Sequence, residues 1–189
     1  MRSEALFLIL IAAVGCERLA ELAVSRRHER RLRARGAVEV GAGHYPWMVA
    51  LHTALLLAAP AEVLAWDRPF LPRLGWPMLA LVAATMALRW WVVATLGDRW
   101  TTRVLVTPGA LPLVAAGPYR LLRHPNYLAV VLELAALPLV HTAWVTALVA
   151  SLANAAVLAV RVRVEERALG LRPPRAGPPA ARPEREGRR

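Results

Sequence analysis

The chain has 189 residues, 57% of them hydrophobic and 20% charged, with 24 basic against 13 acidic side chains and a net charge of +11. That is too much apolar material for a soluble domain of this length, and it indicates one membrane domain. Every basic residue is Arg, and most gather after the first apolar block, after the third and at the C-terminal end. This distribution follows the positive-inside rule and argues against nucleic acid as the partner.

A spanning segment must satisfy its own backbone, so helices of about 20 residues are expected. The first block, Ala5 to Val24, carries Glu17, Arg18 and Glu21 and is followed by a charged run from Arg26 to Arg35. Ala13-Val14-Gly15-Cys16 has the look of a lipoprotein cleavage box, but the helical pattern continues through Cys16 and further spans follow, so the block is read as a span. Cys16 is the only cysteine, which leaves no disulfide framework and no thiolate metal cluster. No metal is expected.

The second block runs from Trp47 to Trp66, with Pro46 at its start, Trp at both ends and a kink expected at Pro60. A connection containing Asp67, Pro69 and Pro72 leads to the third block, Trp76 to Leu96, which holds Arg89. From Gly97 to Arg123 the chain is punctuated by Gly and Pro, and irregular backbone is expected. Tyr127 to Arg161 is nearly all apolar but interrupted at Pro138. Its first part, Tyr127 to Leu137, extends only about 17 Å as a helix and is too short to cross alone.

The fold class is therefore all-α integral membrane, with about five transmembrane helices, the fourth turning at Pro138 to His141 into a longer fifth as a hairpin. Residues 1–170 form the single domain. Residues 171–189, rich in Arg and Pro, are expected to be disordered. The connections hold six Arg between Ser25 and Tyr45, two between Asp67 and Gly75, and four between Gly97 and Pro125. That places the N-terminus outside and the C-terminus in the cytoplasm of a cell-membrane protein.

Two polar clusters fall on the same side, Gly117 to Tyr127 and Arg161 to Glu166. A fourth/fifth hairpin would bring His124, Tyr127, Arg161 and Glu165 together at its open end. Asn154, Arg161 and Glu165 stand at i, i+7 and i+11 and share one helix face within about 20°, with Glu166 about 100° away. Ionisable groups at one end of an apolar helix usually have a job. The plainer alternative is an Arg161 to Glu165 pair worth a few tenths of a kcal/mol. His124-Pro125 has its own, a proline step that only starts a helix. Glu17, Glu21 and Arg89 are expected to form a buried ion pair joining the first and third helices, in preference to a direct catalytic role. His44 and His52 are read as polar contacts or as a proton acceptor near substrate, and Glu133 as facing the site or bonding a neighbouring helix.

Gly117-Pro118-Tyr119-Arg120, Arg123-His124-Pro125-Asn126-Tyr127 and Arg161-Val162-Arg163-Val164-Glu165-Glu166, in this order and spacing, together resemble the isoprenylcysteine carboxyl methyltransferase family over roughly Leu96 to Leu169. The opening half, with Glu17-Arg18-Leu19, Gly36-Ala37 and His44-Tyr45-Pro46, resembles its short bacterial branch, some of whose members are associated with methylating alkylpyrones and phenolic lipids. The resemblance implies a five-helix enzyme that binds S-adenosylmethionine near the cytoplasmic face and receives a lipophilic acceptor from the bilayer.

Position by position, it implies a cofactor set of Leu113, Val114, Tyr119, His124, Pro125, Asn126, Tyr127 and Glu165. Arg161 is implied as the catalytic residue facing the methyl acceptor. These types suit the chemistry, since a carboxylate accepts from ribose hydroxyls and an amino group, and an Arg holds an acidic oxygen in its ionised form. Methyl transfer to such an oxygen then demands orientation and exclusion of water. Two departures stand out. Ala115-Ala116 replace a hydroxyl-bearing pair, and Pro173-Pro174 with an Arg/Pro tail replace an aromatic-rich end. An NADPH-dependent reductase on a related scaffold and a non-enzymatic membrane protein are the alternatives.

Overall fold

The computed structural model describes residues 2–107 and 114–168. The expected tail at 171–189 and Leu113 lie outside the described residues. Helix α1, Arg2–Ala34, is a single 33-residue helix. It runs past the end of the first apolar block because the charged run, apart from His28, is made of Arg, Glu, Leu and Ala, all strong helix formers, with no Pro to stop it. Gly36 stops it. At φ 83 it takes the left-handed conformation, and Ala37 N–H reaches back to the Leu32 carbonyl at 3.0 Å in a Schellman-type close.

Helix α2 spans Tyr45–Ala65 with Pro46 in its first turn, and α3 spans Pro72–Leu96 with Pro72 opening it. Helix α4 is Pro125–Leu139 and α5 is Trp144–Ala168. Three stretches, Ala42–Ala65, Pro72–Arg99 and Trp144–Ala168, are long and apolar enough to cross a membrane. Helix α4, at 15 residues, falls short of that length, as its sequence led us to expect. Helix α1 has the length but interrupts its apolar stretch with Glu17, Arg18 and Glu21.

The helices share one apolar core, drawn from Phe7 and Val14 of α1, Leu55 and Val63 of α2, Val82 of α3 and Leu134 of α4, among others. The α4/α5 hairpin is tight. Thr142, at φ 56, turns the chain and donates its hydroxyl to the Pro69 carbonyl at 2.7 Å. Glu62 of α2 caps α5, accepting from Val145 N–H at 3.2 Å, Thr146 N–H at 2.7 Å and the Thr146 hydroxyl at 2.8 Å, while Arg68 neutralises it at 2.9 Å. A carboxylate suits a helix N-terminus, whose N–H groups are otherwise unpaired.

The connections at the Arg-rich end are tied together by a two-stranded antiparallel ribbon, β1 (Val38–Glu39) against β2 (Leu105–Val106), pairing Val38 with Val106 and Glu39 with Leu105. The stretch from Gly97 to Arg123 otherwise holds only two short 3-10 turns among its described residues, in keeping with its Gly/Pro punctuation. Arg31 meets Asp98 at 2.6 Å, and Arg103 bonds Glu39 at 2.5 Å while lying 4.1 Å over the Tyr45 ring. Burial acts to raise the Glu39 carboxyl, but hydrogen bonds from Arg103 and Arg33 outweigh it and hold the group below its ordinary value. The segments after α1 and after α3 thus form one charged platform at one end of the bundle.

Candidate functional site

Arg161 is the focus. Although charged, it is buried, at 7% exposure. Its Nε donates to the Tyr127 hydroxyl at 3.1 Å, and one terminal nitrogen donates to the Thr102 carbonyl at 2.7 Å and contacts Met48 Sδ at 3.2 Å. The guanidinium also sits 5.6 Å from the Tyr127 ring centroid. The Arg161 to Glu165 pair allowed by spacing alone does not form. Arg161 turns across to α4 and the β2 approach, where a hydroxyl and a carbonyl orient it.

The hairpin brings Tyr127 and Arg161 together as expected, and His124 stacks on Tyr127 with ring centroids 5.2 Å apart and planes at 21°. The acidic neighbour of His124 is Glu166, at 3.6 Å, with Arg123 at 3.9 Å from the same carboxyl. Glu165 lies instead towards Tyr119. Burial pushes the Tyr119 hydroxyl up to about 12, and the Glu165 charge acts in the same direction, so Tyr119 stays a neutral hydrogen-bonding group at pH 7. Pro125 is buried, Asn126 is half-buried with Oδ1 unbonded, and Val114 is half-buried.

The turn at Gly117–Arg120 that carries Tyr119 requires its glycine. Gly117 has φ +53, and a Cβ there would stand 2.5 Å from Thr95 Oγ1 and 3.1 Å from Trp91 Nε1. Gly117→Ala is expected to lower stability by about 1–3 kcal/mol, read as a fall in melting temperature in detergent, because both the φ and the contact with α3 are violated. Unchanged melting would show that the turn is not held against α3.

Arg161 and Tyr127 line the end of a cleft of about 490 Å³, within the roughly 300–1,000 Å³ usual for small-molecule sites. Its walls come from α1, α2, α4, α5, Arg89 of α3 and the Trp100 to Thr102 segment. Leu19 of α1 and Val49 of α2 line it and are themselves exposed. The cleft is thus open sideways, between the first two helices. Asn154 lines it with Arg161, as their shared helix face required, whereas Glu165 does not.

The sequence reading missed the contributions of Met48, Tyr45 and Thr102. Only the His44-Tyr45-Pro46 motif hinted that the start of α2 reaches the site. The ion pair expected between α1 and α3 is present, with Arg89 gripping Glu21 through two bonds of 2.9 and 2.6 Å. It is part of a larger cluster. Arg18 contacts Glu17 and lies 2.8 Å from Glu21, and Glu133 of α4 stands 3.5 Å from Arg18 and 3.7 Å from Arg89. Glu133 therefore bonds neighbouring helices. Among the described residues no group of acidic, His or Cys side chains could hold a metal ion.

The family model described as isoprenylcysteine carboxyl methyltransferase matches residues 78–170, which covers most of α3, all of α4 and α5, and every residue that the resemblance implied for cofactor or acceptor. The uncharacterized protein YpbQ of Bacillus subtilis is 39% identical over 165 residues, 87% of this chain and 96% of that one. An uncharacterized protein of Haemophilus influenzae is 30% identical over 164 residues, 85% of this chain and 93% of its own. No solved structure matches. With its apolar helices, its buried Arg161 and these relatives along most of its length, the chain belongs to the isoprenylcysteine carboxyl methyltransferase family, membrane methyltransferases that use S-adenosylmethionine.

Proposed function

We propose that this protein methylates an acidic oxygen of a lipophilic acceptor, an enolic or phenolic hydroxyl of a long-chain polyketide in preference to a prenylcysteine-like carboxylate. One observation carries the reading: a buried guanidinium, held by the Tyr127 hydroxyl and the Thr102 carbonyl, closes one end of a cleft that opens sideways between apolar helices. An Arg so placed favours the ionised form of an oxygen brought against it and fixes its direction. No separate base is then required. The apolar walls exclude water from that anion.

The groups beyond Arg161 fit S-adenosylmethionine. Glu165 makes no hydrogen bond or ion pair among the described residues, and Asn126 keeps an unbonded Oδ1. Both are acceptors of the kind that ribose hydroxyls and an amino group need. His124, Tyr119, Val114 and Leu113, the last outside the described residues, complete the proposed set with Pro125 and Tyr127. When bound, the group supplies an electrophilic methyl on a sulfonium. The protein's part is to hold the acceptor oxygen ionised and aligned.

The Arg-rich end is assigned to the cytoplasmic face, since β1 and β2 tie the two Arg-bearing connections to one end of the bundle. The test is transfer of a labelled methyl from S-adenosylmethionine into organic-soluble products by membranes containing the protein, with long-chain alkylphenols and alkylpyrones as acceptors. Labelled lipid that depends on the protein is expected. Binding of NADPH without binding of S-adenosylmethionine would overturn the reading in favour of a reductase.

A further inference from the structure

Polar residues in the cleft wall and packed behind it, among them the buried Ser25 and Glu133, lie on two levels. Ser25 bonds Thr102 at 2.9 Å, the Thr102 carbonyl bonds Arg161 at 2.7 Å, and Arg161 bonds Tyr127 at 3.1 Å. These define the first level. Moving seven residues from Ser25 along α1 gives Arg18, seven from Tyr45 along α2 gives His52, seven from Arg161 along α5 gives Asn154, and six from Tyr127 along α4 gives Glu133. At about 1.5 Å per residue, all four helices place a second polar level about 10 Å from the first.

Helix-to-helix ion pairing accounts for Arg18, Glu21, Arg89 and Glu133 at that level. It does not account for Asn154 or His52. Asn154 is only 4% exposed, lines the cleft and has no hydrogen-bond partner among the described residues. His52 also lines the cleft, and its Nδ1 bonds the Met48 carbonyl at 2.8 Å. A carbonyl only accepts, so that nitrogen carries the proton, and Nε2 of the neutral ring is an acceptor without a hydrogen-bond partner among the described residues. An amide and an imidazole lining a cleft between apolar helices, each with bonding capacity unused, are costly unless something fills them.

We propose that the second level is a binding subsite for a hydroxyl on the body of the acceptor, about 10 Å from the oxygen held at Arg161. The hydroxyl donates to His52 Nε2 and accepts from the Asn154 amide, so the cleft selects lipids that carry two oxygen functions rather than a plain alkyl chain. This deepens the proposed function and rests on Arg161 receiving the acidic oxygen.

The test compares a long-chain 4-alkylphenol with its analogue bearing a chain hydroxyl about 10 Å from the phenolic oxygen. Their binding to the full-length protein in detergent is followed by quenching of tryptophan fluorescence. The hydroxylated probe is expected to bind the wild type about tenfold tighter. Asn154→Leu and His52→Leu should each shrink that preference while leaving the plain probe's affinity unchanged, which also reports that the variants are folded. Alkylation of Cys16, the sole cysteine and part of the cleft wall, with a bulky maleimide should block both probes.

Equal binding of the two probes to wild type, binding of neither, or a preference that survives both substitutions overturns the subsite. Binding that survives alkylation of Cys16 also overturns it. S-adenosylmethionine binding, titrated on the same samples, reports on the methyltransferase reading separately.

Discussion

Arg161→Met is expected to lower kcat/KM for methyl transfer by about 10²–10³-fold, the usual cost of removing a preorganised group aimed at reacting charge. Met fills much of the same space but leaves nothing to hold an anionic oxygen at the end of the cleft. Arg161→Lys should not restore the rate, because one ammonium cannot hold the Tyr127 hydroxyl, the Thr102 carbonyl and an acceptor oxygen in the fixed fork of a guanidinium. Tyr127→Phe removes only one orienting bond and should cost about tenfold or less. The measurement is incorporation of labelled methyl into lipid by purified variants, with S-adenosylmethionine affinity followed in parallel. Near wild-type turnover by Arg161→Met would remove Arg161 from the catalytic role.

Glu21→Gln is expected to lower stability by about 3–5 kcal/mol. Glu21 and Arg89 are 3% and 6% exposed, and the two bonds between them join α1 to α3. With Gln at 21, Arg89 keeps Glu133, at 3.7 Å, as its one acidic partner among the described residues, and stands largely uncompensated between apolar helices. Replacing both partners together, as Glu21→Leu with Arg89→Met, should recover much of the loss, since the double change leaves no buried charge behind. Thermal unfolding in detergent checks both. If the double variant melts as low as the single one, the pair acts through something other than its charge.

The helices were legible in the sequence because apolar runs of span length have few alternatives, and Pro and Gly marked their borders. The start of α4 at Pro125 and the turn after Pro138 were visible for that reason. The length of α1 was not, because a switch from apolar to Arg-rich composition looks like an end while helix propensity carries on through it. Likewise Asn154 and Arg161 fell on one face by counting, but Glu165 and Glu166 exchanged neighbours near the helix end. His124 approaches from outside the α5 helix, and periodicity along α5 carries no information about where it stands. The β1–β2 ribbon, the Glu62 cap on α5 and the reach of Thr102 to Arg161 are contacts between distant segments with no local signature. Arg18 was plain in the sequence as a charge within an apolar block, yet its place on a second polar level depends on how four helices are registered against one another.

The central claim is the proposal that Tyr119, His124, Asn126 and Glu165 hold S-adenosylmethionine. Isothermal titration of the detergent-solubilised protein with S-adenosylmethionine, beside Glu165→Ala and with NADPH as the competing ligand, tests it most directly. The expected result is saturable binding to the wild type, a loss of about tenfold or more in Glu165→Ala at unchanged melting temperature, and no binding of NADPH. Absence of S-adenosylmethionine binding to the folded wild type, or binding that Glu165→Ala leaves untouched, would contradict it.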